Sequence, residues 1–174
     1  AKWKSGQVYY NGHYFKVWDS YDLSLYKFKT ASFSEDARGR WYFNVVVEVE
    51  AEAPTGQDQI GIDLGLKDTA TCSDGTRLEA GRFYGDLETK LAVAQRAGKK
   101  KRVKAIHAKV ANRRKDALHK FSRQLVNRSG EIYVGNVKSS SLTKTKMAKS
   151  VLDAGWAMLK TMLEYKCDSA GIVF

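Results

Sequence analysis

Asp63 is the residue best placed by type and position for chemistry. It ends a short apolar run, Ile60-Gly61-Ile62. A second β-like run follows, Thr69-Ala70-Thr71-Cys72, and closes on the tight-turn pair Asp74-Gly75. A carboxylate at the inner end of a strand is costly to bury unpaired. A bound cation would relieve that cost, and so would hydrogen bonds to a structural aspartate.

The second chemical signal is charge. The 174 residues carry a formal net charge of +11. The excess sits in one segment: residues 87–129 hold 14 Lys/Arg against 2 acids. Lys99, Lys100, Lys101, Arg102, Lys104, Arg113, Arg114, Lys115 and Arg123 crowd this stretch. Such a field suggests a polyanion partner. A row of cations that neutralises phosphates releases counterions, and so binds nucleic acid without reading sequence. The plainer reading is a solvated helix face, but 14 bases against 2 acids is not balanced surface pairing. No lipidation signal, secretory signal or transmembrane-length apolar run supports a membrane partner. The loop SSSLTKTK is either a further set of phosphate contacts or a linker.

Other reactive residue types are dispersed. Cys72 and Cys167 lack a CxxC partner or a histidine at ligand spacing, so the chain offers no local zinc site. They read as reduced thiols of a cytoplasmic protein. His13, His107 and His119 read as surface or helix residues. Tyr9, Tyr10, Tyr14, Phe15, Trp18 and Tyr21 fit base stacking, but such residues more often fill a small barrel core. The chain starts at Ala1 without Met and stops at GIVF, which reads as mid-strand, so a piece of a longer protein is expected.

The elements that must position these residues fall into two groups. Residues 1–50 read as all-β, a small barrel or part of one. VYYNGHYFKVW carries a hairpin turn at Asn11-Gly12, LSLYKF alternates over 23–28, and RWYFNVVVEVE alternates over 40–50. Residues 51–59, with Pro54, read as a linker. From 60 to 174 the order is three strands, helix, strand, helix, strand. The strands fall at 60–64, 69–73 and 76–80, a long helix at 87–126 breaks at Gly98, and a buried strand lies at 131–137. A polar loop over 138–146, a helix over 147–169 and a final strand from Ile172 complete it. Val103, Ile106, Val110, Leu118, Phe121 and Leu125 form one apolar stripe expected to pack on the sheet. That order belongs to α/β domains with a mixed sheet.

Three blocks, GIDLGLKDTATCSDG, KVANRRKDALHKFS and MAKSVLDAGWAMLKTMLEYKCDSAG, occur in an order that resembles the transposon-encoded TnpB (OrfB) proteins. These are relatives of type V CRISPR nucleases. The resemblance covers roughly residues 60–174. It implies an RNase H-like (RuvC) mixed sheet with helices over 60–174. Residues 1–50 are similar to the end of the family's oligonucleotide-binding-like wedge barrel. It further implies an RNA-guided DNA endonuclease with guide RNA and DNA as partners and Mg²⁺ or Mn²⁺ in a three-acid centre. Asp63 matches the first acid and metal ligand. The second is a glutamate on the strand after the basic helix, where this chain reads YVGNV and places Gly135. The third lies beyond a zinc ribbon that follows the matched blocks.

Two-metal phosphodiester cleavage needs several converging carboxylates, and Mg²⁺ prefers hard oxygen ligands. One carboxylate does not hold two metals against their hydration. Glu131 shares a strand face with Gly135 but lies about 13 Å back along it. Asp153, on the following helix, is the better replacement, or else a solvated helix acid. The expected function is therefore a nucleic-acid-binding piece of such an endonuclease with an incomplete nuclease centre, inactive alone, any metal at Asp63 being held weakly and mostly hydrated. The alternative within the family is a nuclease-defective regulator that binds guide RNA and DNA. A phosphate-binding hairpin of an actin-like ATPase, which also uses DLG, is disfavoured by the basic helix. A cytoplasmic, prokaryotic-type location follows from the family.

Overall fold

The structure, a computed structural model, describes residues 1–19, 21–50, 56–137 and 139–174. The chain divides into two compact units, Ala1–Glu50 and Ala51–Phe174. Most of the expected linker, residues 51–55, lies outside the described residues. Its last two positions, Asp58 and Gln59, belong to a strand.

In the first unit, β1 (Lys2–Lys4), β2 (Gln7–Tyr10) and β3 (His13–Phe15) form an antiparallel sheet. Asn11 and Gly12 turn the β2–β3 hairpin with φ of 47° and 83°, the left-handed geometry that an Asn-Gly pair accommodates. β4 (Phe28–Glu35) and β5 (Trp41–Val47) form a second sheet. Phe33 joins the sheets, with ring centroids 5.9 Å from Tyr10, 5.1 Å from Phe15 and 5.3 Å from Phe43. The expected strand at 23–28 is instead a 3₁₀ turn, Leu23–Leu25, and only Phe28 begins a strand. The Asp19 carboxylate accepts the N–H groups of Tyr21 and Leu23, and this local pairing outcompetes the alternating pattern.

In the second unit, β6 (Asp58–Asp63), β7 (Asp68–Cys72), β8 (Arg77–Glu79) and β9 (Ser129–Val134) form a sheet of order β8-β7-β6-β9. β6–β7 and β7–β8 are antiparallel, and β6–β9 is parallel. A parallel neighbour needs a long crossover. Here α1 (Gly85–Arg96) and α2 (Lys100–Arg128) supply it. The expected final strand reduces to one bridge, Val173 beside Glu131. Ile60, Ile62 and Ile132 turn to one face of the sheet. There they meet Leu118, Phe121 and Leu125 of α2 and Leu159, Leu163 and Cys167 of α5 (Trp156–Ala170).

Two expected elements are divided. The apolar stripe of α2 serves two clusters, not one. Its N-terminal half, Val103, Ile106 and Val110, packs on Leu87 and Leu91 of α1 and leaves the sheet to the C-terminal half. The polar loop contains a short helix, α3 (Ser139–Leu142). The expected helix at 147–169 is two helices, α4 (Ala148–Ala154) and α5, hinged at Gly155 with φ 71°. A Cβ at Gly155 would lie 2.9 Å from Arg114 Cδ and 3.2 Å from Leu118 Cδ1. The hinge thus lets α2 pass close to the backbone.

Candidate nuclease centre and nucleic-acid interface

Strand alternation places Ile60 and Ile62 in the core and Gly61 and Asp63 on the opposite face. Asp63 is exposed, so the cost expected for a buried carboxylate does not arise. Among the described residues its carboxylate has no hydrogen-bond or ion-pair partner, which removes the reading of a hydrogen-bonded structural aspartate. The parallel register sets Gln59 beside Glu131, Gly61 beside Tyr133 and Ile62 beside Val134. The next step brings Gly135 level with Asp63: the Gly135 N–H donates to the Ile62 carbonyl at 2.9 Å. A Cβ at Gly135 would lie 3.9 Å from Asp63 Oδ1. A side chain there would share Asp63's surroundings, and glycine provides none.

Glu131 does not take its place. It pairs with Gln59, four residues back from Asp63, and its carboxylate accepts the Tyr133 hydroxyl at 2.7 Å. Asp153 is not a solvated helix acid, and its carboxylate is engaged elsewhere. Its side chain is 13% exposed and accepts Arg114 Nη2 at 3.0 Å. It also accepts the Tyr84 N–H at 2.9 Å, at the start of α1. It therefore ties α4 to α1 and α2. Among the described residues no three of His, Cys, Asp and Glu come together as a metal site. A two-metal centre does not fit the side chains present.

Lys99, Lys100, Lys101, Arg102, Lys104, Arg113, Lys115 and Arg123 are exposed, and none is in an ion pair among the described residues. Arg114 departs from the expected set: its side chain is 18% exposed and bound to Asp153. With Ile106 and Val110 fixed on α1, the basic residues ride on a helix of 29 residues, about 43 Å long. The aromatic residues expected to fill a barrel core do not: Tyr10, Tyr14, Phe15, Trp18 and Tyr21 keep 39–94% of their surface exposed, and Tyr9 is half-buried. The strands form two separate sheets, with Val8 buried and Phe33 half-buried between their rings.

Lys166 escaped the sequence reading. It is 4% exposed and donates to the His119 carbonyl at 2.9 Å and to Ser122 Oγ at 2.7 Å. Burial, with Arg123 nearby, lowers its pKa to about 8. Burial first, then Lys166, also lowers the pKa of His119. A signal existed: Lys166 continues the Leu159, Met162, Leu163 stripe at helical spacing, where an apolar residue is expected.

The second unit is thus a mixed α/β sheet with a long basic helix packed on one face. Residues 42–146 match the OrfB_IS605 family model, described as "Probable transposase". The chain belongs to this transposon-encoded OrfB (TnpB) family. It is 33% identical over 152 residues to a "Putative RNA-guided DNA endonuclease" of Streptomyces pristinaespiralis, covering 79% of this chain and 38% of that protein. It is 27% identical over 158 residues to "Putative RNA-guided DNA endonuclease InsQ" of Escherichia coli (strain K12), covering 74% and 39%. The chain thus spans about two-fifths of the length of these curated relatives. A CRISPR-Cas12f ternary complex solved by cryo-EM is similar at TM-score 0.46 and 17% identity, over 85% of this chain and 35% of that one. No helix among the described residues is long and apolar enough to cross a membrane.

Proposed function

We propose that this chain is the nucleic-acid-binding part of a transposon-associated RNA-guided DNA endonuclease, with guide RNA and DNA as its partners. Its nuclease centre is incomplete within these residues. The observation that carries the reading is the pairing of Asp63 with Gly135: the position level with the first acid has no ligand, and Glu131 and Asp153 are both engaged elsewhere. The order β8-β7-β6-β9, with a parallel β9 reached through α2, supports an RNase H-like (RuvC) sheet. The strands of residues 1–50 support a wedge-like, oligonucleotide-binding segment. Mg²⁺ or Mn²⁺ would be the metal of the intact family centre, and the cytoplasm its location. The exposed cations of α2 do the binding here, and they bind phosphates rather than bases.

The glycine also favours a second reading, a nuclease-defective regulator that keeps binding and has lost cutting. Supercoiled plasmid incubated with this chain and Mn²⁺ tests the incomplete centre. Retention without nicking is expected, and nicking that disappears in Asp63→Ala would overturn it. The regulator reading requires that the same protein in its full natural length also binds and does not cut.

A further inference from the structure

The C-terminal half of α2 and the adjoining turn of α5 enclose an open depression of about 730 Å³. Lys166, 4% exposed, is among the residues that line it. Two of the three ammonium protons go to the His119 carbonyl and Ser122 Oγ. The Ser122 hydroxyl donates to the Leu118 carbonyl at 2.7 Å, so its oxygen is free to accept. The third proton has no protein acceptor among the described residues. Among the described residues no carboxylate lines the depression. Asp116 stands nearby but holds Lys120 at 2.8 Å. Arg123, exposed and without an ion pair among the described residues, also lines it, as do Gln124 and Asn127.

A buried cation without a counter-ion is unfavourable, and removing that imbalance favours an anion. Arg123 and Lys166, which line the same depression, offer charged donors, and Gln124 and Asn127 offer neutral ones, a set suited to an anion with several acceptor oxygens. The basic run leads to this place: Arg123 lies eight residues beyond Lys115 on the same helix, about 12 Å further along it. We propose that the depression between α2 and α5 is a phosphate-binding site, with Lys166 and Arg123 as its cations, that seats one backbone phosphate of a polynucleotide. The site deepens the nucleic-acid reading above and fixes one point of register, where the exposed lysines only supply a field. His119, held against protonation by burial, Lys166, Lys115 and Arg123, reports on it: an anion in the depression offsets that field and makes the imidazole easier to protonate.

The test follows the His119 imidazole proton signal by NMR while this chain is titrated with inorganic phosphate, then with a short single-stranded oligothymidylate. Both ligands should shift the signal and raise the His119 pKa. Arg123→Gln and Lys166→Met should each weaken the response about tenfold, the size expected when a charge-assisted hydrogen bond is lost. Arg123 is exposed, so its variant carries the test should Lys166→Met fail to fold. No shift with phosphate in the native chain, or an undiminished one in Arg123→Gln, overturns the site. A shift with phosphate but none with oligothymidylate overturns its polynucleotide occupant. A third variant, with Lys99, Lys100, Lys101 and Lys104 changed to Gln, separates this site from the wider reading. It should lose duplex binding and keep the His119 response to phosphate. Duplex binding that survives in the native chain without any His119 response defeats this site alone.

Discussion

Gly135, one residue past the end of β9, stands level with Asp63 at the end of the parallel β6, with the position of a Cβ at residue 135 only 3.9 Å from the Asp63 carboxylate. The same Cβ would meet its other near neighbour, the Ile62 carbonyl, at 3.5 Å, an ordinary contact. A larger side chain is therefore compatible with the backbone here.

Gly135→Glu should bring a second carboxylate to Asp63 without disturbing the sheet. A hard divalent ion gains affinity with each anionic oxygen ligand it acquires, so Mn²⁺ should bind about tenfold more tightly. Asp63→Ala in the Gly135→Glu background should remove the gain. Calorimetry with Mn²⁺ on the native chain and on the single and double variants measures both. An unchanged affinity in Gly135→Glu would mean that residue 135 does not face Asp63. Cleavage should remain absent, because two carboxylates fall short of a two-metal centre.

Asp153 belongs to the stability of the fold. Its side chain and that of Arg114 are 13% and 18% exposed, and Arg114 Nε has no partner among the described residues. Removing the acid leaves a largely buried guanidinium and an unpaired Tyr84 N–H, so Asp153→Ala should destabilise the chain by about 2–4 kcal/mol. The exposed pair Lys120–Asp116 has the same charges at 2.8 Å, yet Asp116→Ala should cost less than about 1 kcal/mol. Urea denaturation of both variants decides it. Equal effects would show that burial is not what matters.

Much of this was legible in the sequence, because periodicity reports burial directly. The alternation through Ile60 and Ile62, the Asn11-Gly12 turn and the stripe from Leu118 to Leu125 all correspond to structure. What was not legible depends on partners distant in sequence. Arg114 looked like one more basic residue, but Asp153 lies 39 positions away and only the fold joins them. The break at Gly155 was hidden because the apolar spacing continues through it, and the cause is the approach of α2. Lys166 was hidden for a similar reason: its acceptors, His119 O and Ser122 Oγ, belong to another helix.

Binding to duplex DNA should fall steeply with salt. Each phosphate contact contributes about 0.9 to the slope of log K against log salt concentration. Changing Lys100, Arg113 and Lys115 together to Ala should lower that slope by up to about 2.7, without altering preference among sequences. Arg114→Ala should instead act through stability, since its guanidinium is held by Asp153. Fluorescence anisotropy at several salt concentrations checks the slope. A triple variant with the native slope would place the binding surface elsewhere.

Lys166 should give the chain an alkaline signature. Its folded pKa is lowered from 10.5 to about 8, chiefly by burial and then by Arg123. In the unfolded chain the amine keeps its proton up to about pH 10.4. Between these values the unfolded state binds more protons than the folded one, so stability rises with pH across that window. Below pH 8 the ammonium is charged in both states and the slope from this residue vanishes. The full gain from about pH 8 to 10.4 is at most about 3 kcal/mol. Other groups titrate in the same range, so the informative quantity is the native chain minus Lys166→Met. Methionine fills a similar space without a charge, and replacing a buried ion by an apolar side chain is often neutral or stabilising. At pH 7 the variant should therefore be as stable as the native chain or more so, and the difference should shrink as the pH climbs. Urea denaturation of both proteins at pH 7, 8, 9 and 10 follows it. A difference that stays constant with pH would show that Lys166 titrates normally, in contact with water.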